Sequence, residues 1–252
     1  MKRIDSTKNE QIKKWKKLHK KKDREKAGQF IVEGFHLVEE VLKSDIELQV
    51  LLLTEEFVLP VDWNVDTGKI ILTTDSVMKE VCETESPQGI AAVCILPQKT
   101  MLPYQAGRYL LLDRIQDPGN MGTLIRTADA VGLDGVILEK GSADIYNSKV
   151  IRASQGSVFH LPIVKGDLKE SIQQFKKAGV PIFGTALEGA STYTAMEPQE
   201  TFALILGNEG EGVASGLLNL TDQNLYIPIH GQAESLNVTV AAGILLYYLR
   251  AN

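Results

Sequence analysis

Three short stretches of this chain combine carboxylates, carboxamides, an arginine and glycines in a way that a plain turn does not require. The first is Asp117-Pro118-Gly119-Asn120-Met121-Gly122, followed by Arg126. Asn120 and Gly122 permit a tight turn into a helix, with Arg126 about one turn inside it and able to face the mouth of a sheet. A capped helix bearing a surface arginine accounts for the same residues. The second stretch is Leu206-Gly207-Asn208-Glu209-Gly210-Glu211-Gly212. Its glycines allow a ligand close to the main chain, and its acids suit a hydroxyl or a cation better than a phosphate. An ordinary turn is the competing reading. The third runs from Ile227-Pro228-Ile229-His230 to Glu234-Ser235-Leu236-Asn237 and opens a long apolar segment. Here Ser235 could cap a helix, or with Asn237 could orient a polar substrate.

The elements around these stretches alternate. Tyr109–Asp113, Gly135–Glu139, Val180–Leu187, Phe202–Leu206 and Leu225–Ile229 read as strands that are apolar almost throughout, with Leu161–Val164 a shorter candidate. Helical spacing fits at Gly122–Val131, Lys149–Gln155, Leu168–Ala178, Gly212–Leu218 and Ser235–Arg250. Continuously apolar strands separated by helices predict a parallel sheet covered on both faces, so the fold class is α/β. In such sheets ligands sit beyond the carboxyl ends of strands, where the three polar stretches fall.

Upstream, a smaller α/β unit is expected over 29–96, from a helix-spaced run at Leu37–Leu42, strands at Leu48–Thr54, Gly68–Thr73 and Gly89–Leu96, and a helix over Thr74–Val81. Pro97, Pro103 and Gly107 mark 97–107 as a linker, leaving 108–252 as the second domain. Residues 1–28 read as a basic arm. Over 1–26 there are twelve Lys or Arg against four acids, an excess of eight positive charges in a chain whose net charge is −5. Such a segment attracts polyanions through counterion release. Ile12, Trp15 and Leu18 stand at near-helical spacing within it, which favours a docked arm over a free tail.

Composition narrows the function further. Hydrophobic residues make up 44% and charged residues 23%, as in a globular protein. No apolar run reaches the ~20 residues that span a bilayer, and no secretory signal follows the basic start, so a cytoplasmic location without membrane attachment is expected. Cys82 and Cys94 are too few and too far apart for a disulfide framework or a zinc site, so reduced thiols and no metal are expected. Neither GxGxxG nor a phosphate loop ending in Gly-Lys-Ser/Thr occurs, which weakens dinucleotide and nucleoside-triphosphate readings.

In order and separation, the three stretches resemble the three signature motifs of the SpoU family in the SPOUT superfamily of RNA methyltransferases. Asn120-x-Gly122-x-x-x-Arg126 is similar to the first, Leu206–Gly210 to the second, and Ile227-Pro228-Ile229 through Ser235-Leu236-Asn237-Val238 to the third. Val32-Glu33-Gly34, His36-Leu37-Val38 and Ser86-Pro87-Gln88-Gly89-Ile90 resemble that family's RNA substrate-binding domain. The likeness covers about residues 25–250. It implies a parallel-sheet SPOUT domain whose carboxyl-terminal part is threaded into a trefoil knot, a homodimer with each site near the interface, and S-adenosylmethionine as cofactor. Gly207, Ile227 and Leu236 would hold the cofactor largely through backbone atoms, with Thr185, Ala186, Leu206 and Pro228 lining the same pocket. The implied reaction is methyl transfer to a ribose 2′-hydroxyl of RNA, ribosomal rather than transfer RNA, with Arg126 central and Asn120, Glu209, Ser235 and Asn237 around it. Guanidinium groups stay protonated in neutral water, so Arg126 is read as stabilising a developing alkoxide or gripping a phosphate. Two other classes stay in view: a non-catalytic RNA-binding protein, which has no use for the three loops, and a metabolic enzyme with another nucleoside cofactor, which has no use for the basic arm.

Overall fold

The computed structural model describes residues 2–98, 102 and 104–250. Residues 99–101 and Pro103 of the expected linker lie outside them. The chain divides into two compact units, Met1–Gln98 with Asp144–Phe159, and Lys99–Ala143 with His160–Asn252.

The first unit is built from β1 (Lys2–Ile4), α1 (Glu10–Lys17), α2 (Lys21–Ala27), β2 (Gln29–Glu33), α3 (Phe35–Lys43), β3 (Leu48–Thr54), β4 (Ile70–Thr73), α4 (Asp75–Val81) and β5 (Ile90–Ile95). Its sheet runs β1-β4-β3-β5-β2, with β1 and β3 parallel to β4 and with β5 antiparallel to both β2 and β3. Of Thr74 and Asp75, the two residues that could mark the start of α4, Thr74 is the cap, its hydroxyl accepting from the Val77 amide at 3.3 Å.

The lysine-rich start is folded into this unit, docked rather than free. β1 extends the sheet, and Ile4, Ile12, Trp15 and Leu18 are buried in one cluster with Leu52, Ile71, Val77 and Met78. The physical reason is the spacing of those apolar residues: α1 buries its stripe and leaves its lysines on the opposite face. Arg24, only 3% exposed, locks the α1–α2 turn by donating to the Leu18 and His19 carbonyls at 2.7 and 2.8 Å and to Asp144 at 2.6 Å.

Asp144 introduces a departure from chain order. Residues 144–159, expected in the second domain, belong to the first unit. Their helix Ser148–Ser154 is capped by Asn147, and the Tyr146 ring packs 4.8 Å from that of Phe30. Burial of these apolar groups against β2 outweighs proximity in sequence.

The second unit contains β6 (Arg108–Leu112), α5 (Pro118–Val131), β7 (Gly135–Leu138), β8 (Ile163–Lys165), α7 (Leu168–Lys177), β9 (Ile182–Thr185), β10 (Ser191–Thr192), β11 (Phe202–Leu206), α8 (Ser215–Leu218), β12 (Gln223–Tyr226) and α9 (Val238–Leu249), α6 being the Ser148–Ser154 helix of the first unit. Its seven strands lie in the order β10-β12-β9-β11-β6-β7-β8, and every pairing is parallel. The core on one face gathers Leu111, Ile137, Phe175, Ile182, Ala203 and Ile205. Because the strands are parallel, the loops leaving β6, β9, β11 and β12 all emerge along one edge of the sheet. Chain order scatters these loops over more than a hundred residues; the sheet makes them neighbours.

Candidate active site

The edge is assembled from the strand ends outward. Asp113 follows β6, and its buried carboxylate accepts from the Ala214 amide at 2.8 Å and from Arg114 Nε at 2.8 Å. Arg114 adopts a positive φ of 56° and reaches Glu211 at 2.8 Å, tying the loop after β6 to the loop after β11. Asn208 completes the tie: Nδ2 donates to the Arg114 carbonyl at 2.9 Å, and Oδ1 accepts from the amides of Gly210 at 2.9 Å and Glu211 at 3.2 Å. Reciprocal backbone bonds between Asn208 and Gly212, at 3.1 and 2.9 Å, close the loop on itself. That closure explains Gly207, where a Cβ would fall 2.0 Å from the Gly212 carbonyl carbon. No side chain fits there.

Against this frame stand three of the expected site residues. Asp117 caps α5 by accepting from the Asn120 amide at 2.8 Å, and Pro118 occupies the first turn, where its missing N–H costs nothing. Asn120 is thereby fixed in the first turn, and its Nδ2 donates to Glu209 Oε1 at 3.1 Å. Glu209 also receives the Gln116 and Asp117 amides at 3.5 and 3.4 Å, so its negative charge lies at the amino-terminal end of α5, where the helix dipole favours it. Asn120 Oδ1 accepts in turn from Asn237 Nδ2 at 3.3 Å. Glu209, Asn120 and Asn237 thus form one hydrogen-bonded chain joining the loops after β11, β6 and β12.

Asn237, not Ser235, caps α9, its Oδ1 accepting from the Thr239 amide at 2.8 Å and the Thr239 hydroxyl at 2.6 Å. The helix starts at Val238, later than the expected Ser235, because the asparagine satisfies the first free amide. Ser235 is exposed and makes no hydrogen bond among the described residues. Arg126 lies about two turns into α5, deeper than the single turn expected, because the helix begins at Pro118. It is exposed and without a hydrogen bond or ion pair among the described residues, so the structure leaves it free rather than bonded to Asn120, Glu209 or Asn237.

The remaining positions line the same edge. Thr185 donates its hydroxyl to the Ile205 carbonyl at 3.1 Å, and the Ala186 amide donates to the Leu225 carbonyl at 3.2 Å, so the chain leaves β9 pinned between β11 and β12. Leu206 is buried, and can offer a ligand only its backbone. Ile227 and Pro228 are half-buried, and Leu236 is 36% exposed.

Sequence reasoning passed over Asp113, Arg114 and Asn208 as site-forming residues. The signal was present: an acid and an arginine following four buried apolar residues of β6 must find partners at the strand end.

The SpoU rRNA Methylase family model matches residues 107–247. The chain belongs to this family. A second model, the MRM3-like substrate binding domain, matches residues 9–92 of this SpoU-family chain. Among its relatives is the 23S rRNA (guanosine(2553)-2'-O)-methyltransferase RlmP of Bacillus subtilis (strain 168), 49% identical over 251 residues that cover 99% of this chain and 100% of the relative. Similar solved structures include the AdoMet-bound rRNA methyltransferase from Sinorhizobium meliloti, with TM-score 0.87, 30% identity and coverage of 98% and 97% of the two chains. Another is the SpoU methyltransferase AviRb from Streptomyces viridochromogenes in complex with AdoMet, with TM-score 0.84, 29% identity and coverage of 96% and 97%.

The chemistry of this SpoU-family edge suits a nucleoside that carries no phosphate. Apolar Ile227, Pro228 and Leu236 offer flat contact, the Gly207 backbone is bare, and the charged Glu209 and Glu211 would oppose a phosphate. Among the described residues no helix is long and apolar enough to cross a membrane. His36, Glu39 and Glu40 of α3 bring possible metal-ligand atoms within 4.8 Å of one another, but Lys43 pairs with both carboxylates at 2.9 and 3.4 Å.

Proposed function

We propose that this chain transfers the methyl group of S-adenosylmethionine to a ribose 2′-hydroxyl of ribosomal RNA. The observation that carries the reading is the Glu209–Asn120–Asn237 chain, which fixes three polar loops against one another at the carboxyl edge of a parallel sheet. A protein that only binds RNA has no need of such a constraint. Ribosomal RNA, and the large-subunit RNA first, is favoured over transfer RNA by the full-length likeness to an enzyme named for 23S rRNA.

When bound, the cofactor supplies an electrophilic methyl on a sulfonium. Gly207, Ile227 and Leu236 hold it chiefly through backbone atoms, with Thr185, Ala186, Leu206 and Pro228 completing the wall. The chain's own work is to place the ribose oxygen and to accommodate its proton. Arg126, uncommitted within the fold, stabilises the developing alkoxide or grips the neighbouring phosphate. Ser235, equally uncommitted, orients the ribose hydroxyl. Asn120 and Asn237 hold the loops in register, and Glu209 anchors Asn120. The trefoil knot belongs to this reading.

A homodimer belongs to it as well. α9 is apolar on nearly all sides, with Val240 50% and Tyr247 59% exposed, more greasy surface than one buried stripe requires. Light scattering should return twice the chain mass at micromolar concentration.

The direct test incubates the protein with tritiated S-adenosylmethionine and either ribosomal or transfer RNA from a strain lacking the enzyme. Label should pass to ribosomal RNA. Transfer to tRNA alone would replace the substrate assignment, and failure to bind the cofactor in a calorimetric titration would end the reading.

A further inference from the structure

The first unit holds a cavity of about 260 Å³ whose wall includes Glu33, Leu37, Gln88, Ile90 and Arg152. Its polar groups are unevenly committed. Glu33, at the end of β2 and nearly buried, accepts from the amides of Glu83 at 2.8 Å and Thr84 at 3.2 Å, one on each oxygen, and a carboxylate has lone pairs to spare beyond these. Gln88 Oε1 is taken by the Phe35 amide at 2.8 Å, which turns Nε2 into a donor with no partner among the described residues. Arg152 Nη1 is buried and has no acceptor. Gly34 keeps this arrangement open: its φ is +91°, and a Cβ there would stand 2.9 Å from Gln88 Oε1.

We propose that this cavity is a recognition pocket for one unpaired nucleotide of the substrate RNA, taking a base that presents a keto oxygen beside a ring N–H, guanine or uracil. The inference rests on the RNA-modifying function proposed above and adds where part of its selectivity resides. The apolar part of the wall is Pro87 with the edge of Leu37, which suits the flat face of a base. Two donors, Arg152 and Gln88, match the keto oxygen, and the Glu33 carboxylate matches the adjacent ring N–H. Adenine and cytosine place an amino group and a bare ring nitrogen at those positions and so offer the reverse pattern. A phosphate fits poorly, because Glu33 would repel it. Beside the pocket, Phe35 is 38% exposed and stacks on Trp63, ring centroids 5.1 Å apart at 24°, with Phe57 6.3 Å away. The exposed ring of Phe35, backed by the half-buried Trp63 and Phe57, forms a platform for the neighbouring nucleotide next to a base-sized pocket. The segment that supplies Arg152 lies between β7 and β8 in the chain yet folds into this unit, so the pocket is completed by the same excursion that departs from chain order.

The test uses the full-length protein, fluorescein-labelled single-stranded hexamers of uridine and of adenosine, and the variants Gln88→Leu and Arg152→Met. The wild type should bind the uridine hexamer several-fold more tightly than the adenosine hexamer. Each variant should weaken uridine binding about ten-fold, the value of one good hydrogen-bonded contact to a base. Each should raise the KM for ribosomal RNA similarly, with kcat at saturating RNA and the affinity for S-adenosylmethionine within two-fold of wild type. If Arg152→Met unfolds early, Gln88→Leu carries the test alone, because Gln88 is exposed on a loop. Equal affinity for the two hexamers, or an unchanged RNA KM in Gln88→Leu, would overturn the proposal. The hexamer comparison does not depend on methyl transfer, so a protein that binds uridine selectively yet transfers no methyl group would defeat the enzymatic reading and not the pocket.

Discussion

Replacing Glu209 tests whether the hydrogen-bonded chain across the three loops positions the reacting groups. In Glu209→Ala, Asn120 Nδ2 loses its acceptor at 3.1 Å, and the amides of Gln116 and Asp117 lose theirs at 3.5 and 3.4 Å. These bonds are long and the side chain is exposed, so they sit at the low end for hydrogen bonds, about 0.5 kcal/mol each at most. Loss of a negative charge from the start of α5 adds about 0.3–1 kcal/mol. The sum is at most about 2.5 kcal/mol, which in a protein of this size lowers Tm by at most about 10 °C. The catalytic effect should be larger. Freed from Glu209, Asn120 no longer holds Asn237, and a displacement of about 1 Å at a reacting group can cost about a hundred-fold in rate. Glu209→Gln keeps an acceptor for Asn120 and should lose nearer ten-fold. The assay is single-turnover methyl transfer to ribosomal RNA, with a calorimetric titration of S-adenosylmethionine beside it. The single-turnover rate constant should fall in the order wild type, Gln, Ala, with cofactor affinity within about three-fold throughout. An alanine variant with the wild-type rate constant would refute the positioning argument. One with a normal rate constant but cofactor affinity weakened ten-fold would move Glu209 into the cofactor site.

Arg126→Ala should abolish methyl transfer and leave cofactor affinity within a few-fold, since like charges disfavour contact between a guanidinium and a sulfonium; residual wild-type turnover would remove Arg126 from the chemistry. Changing Lys14, Lys17, Lys20 and Lys22 together to Gln should reduce the slope of log RNA affinity against log salt by up to about 3 and leave Tm nearly unmoved, because these side chains are exposed on the outer face of the first unit. An unchanged slope would show that they do not meet phosphate. Burial pushes the Cys82 and Cys94 thiols well above the usual range, with the Glu33 charge adding to the effect at Cys82. The thiolate fraction at pH 8 is therefore very small in the folded protein. Neither cysteine should react with Ellman's reagent until denaturant is added; rapid modification of the native protein would contradict the burial of both.

The second unit was largely legible in the sequence because its strands are buried on both faces and so read as unbroken apolar runs, as at Leu110–Leu112 and Phe202–Leu206. The start of α4 was legible for a local reason, the hydroxyl of Thr74. What escaped notice depended on partners far away in the chain. The stripe of Ile12, Trp15 and Leu18 was visible and favoured docking of the basic segment, but its cover, the apolar face of α4 together with Ile31, Leu52 and Ile71 of the sheet, was not. Residues 144–159 carry no local mark of leaving the second unit; Phe30 and Arg24 draw them out from more than a hundred residues upstream. At the site, the identities of Asn120, Glu209 and Asn237 were readable, while their mutual bonding was not, since the parallel order of β6, β11, β9 and β12 is what brings their loops together. Ser235 and Asn237 are equally good caps by type, and only the backbone geometry at 235–239 decides between them.

The central claim is that the acceptor is a ribose oxygen, and the position of the transferred methyl group on the nucleoside tests it most directly. Ribosomal RNA from a strain lacking the enzyme is methylated in vitro with deuterated S-adenosylmethionine, digested completely and resolved by mass spectrometry. The deuterated methyl group should stay with the sugar fragment, and the bond 3′ to the modified nucleotide should survive alkali because its 2′-hydroxyl is blocked. Label on the base fragment, with that bond still cleaved by alkali, would contradict the claim.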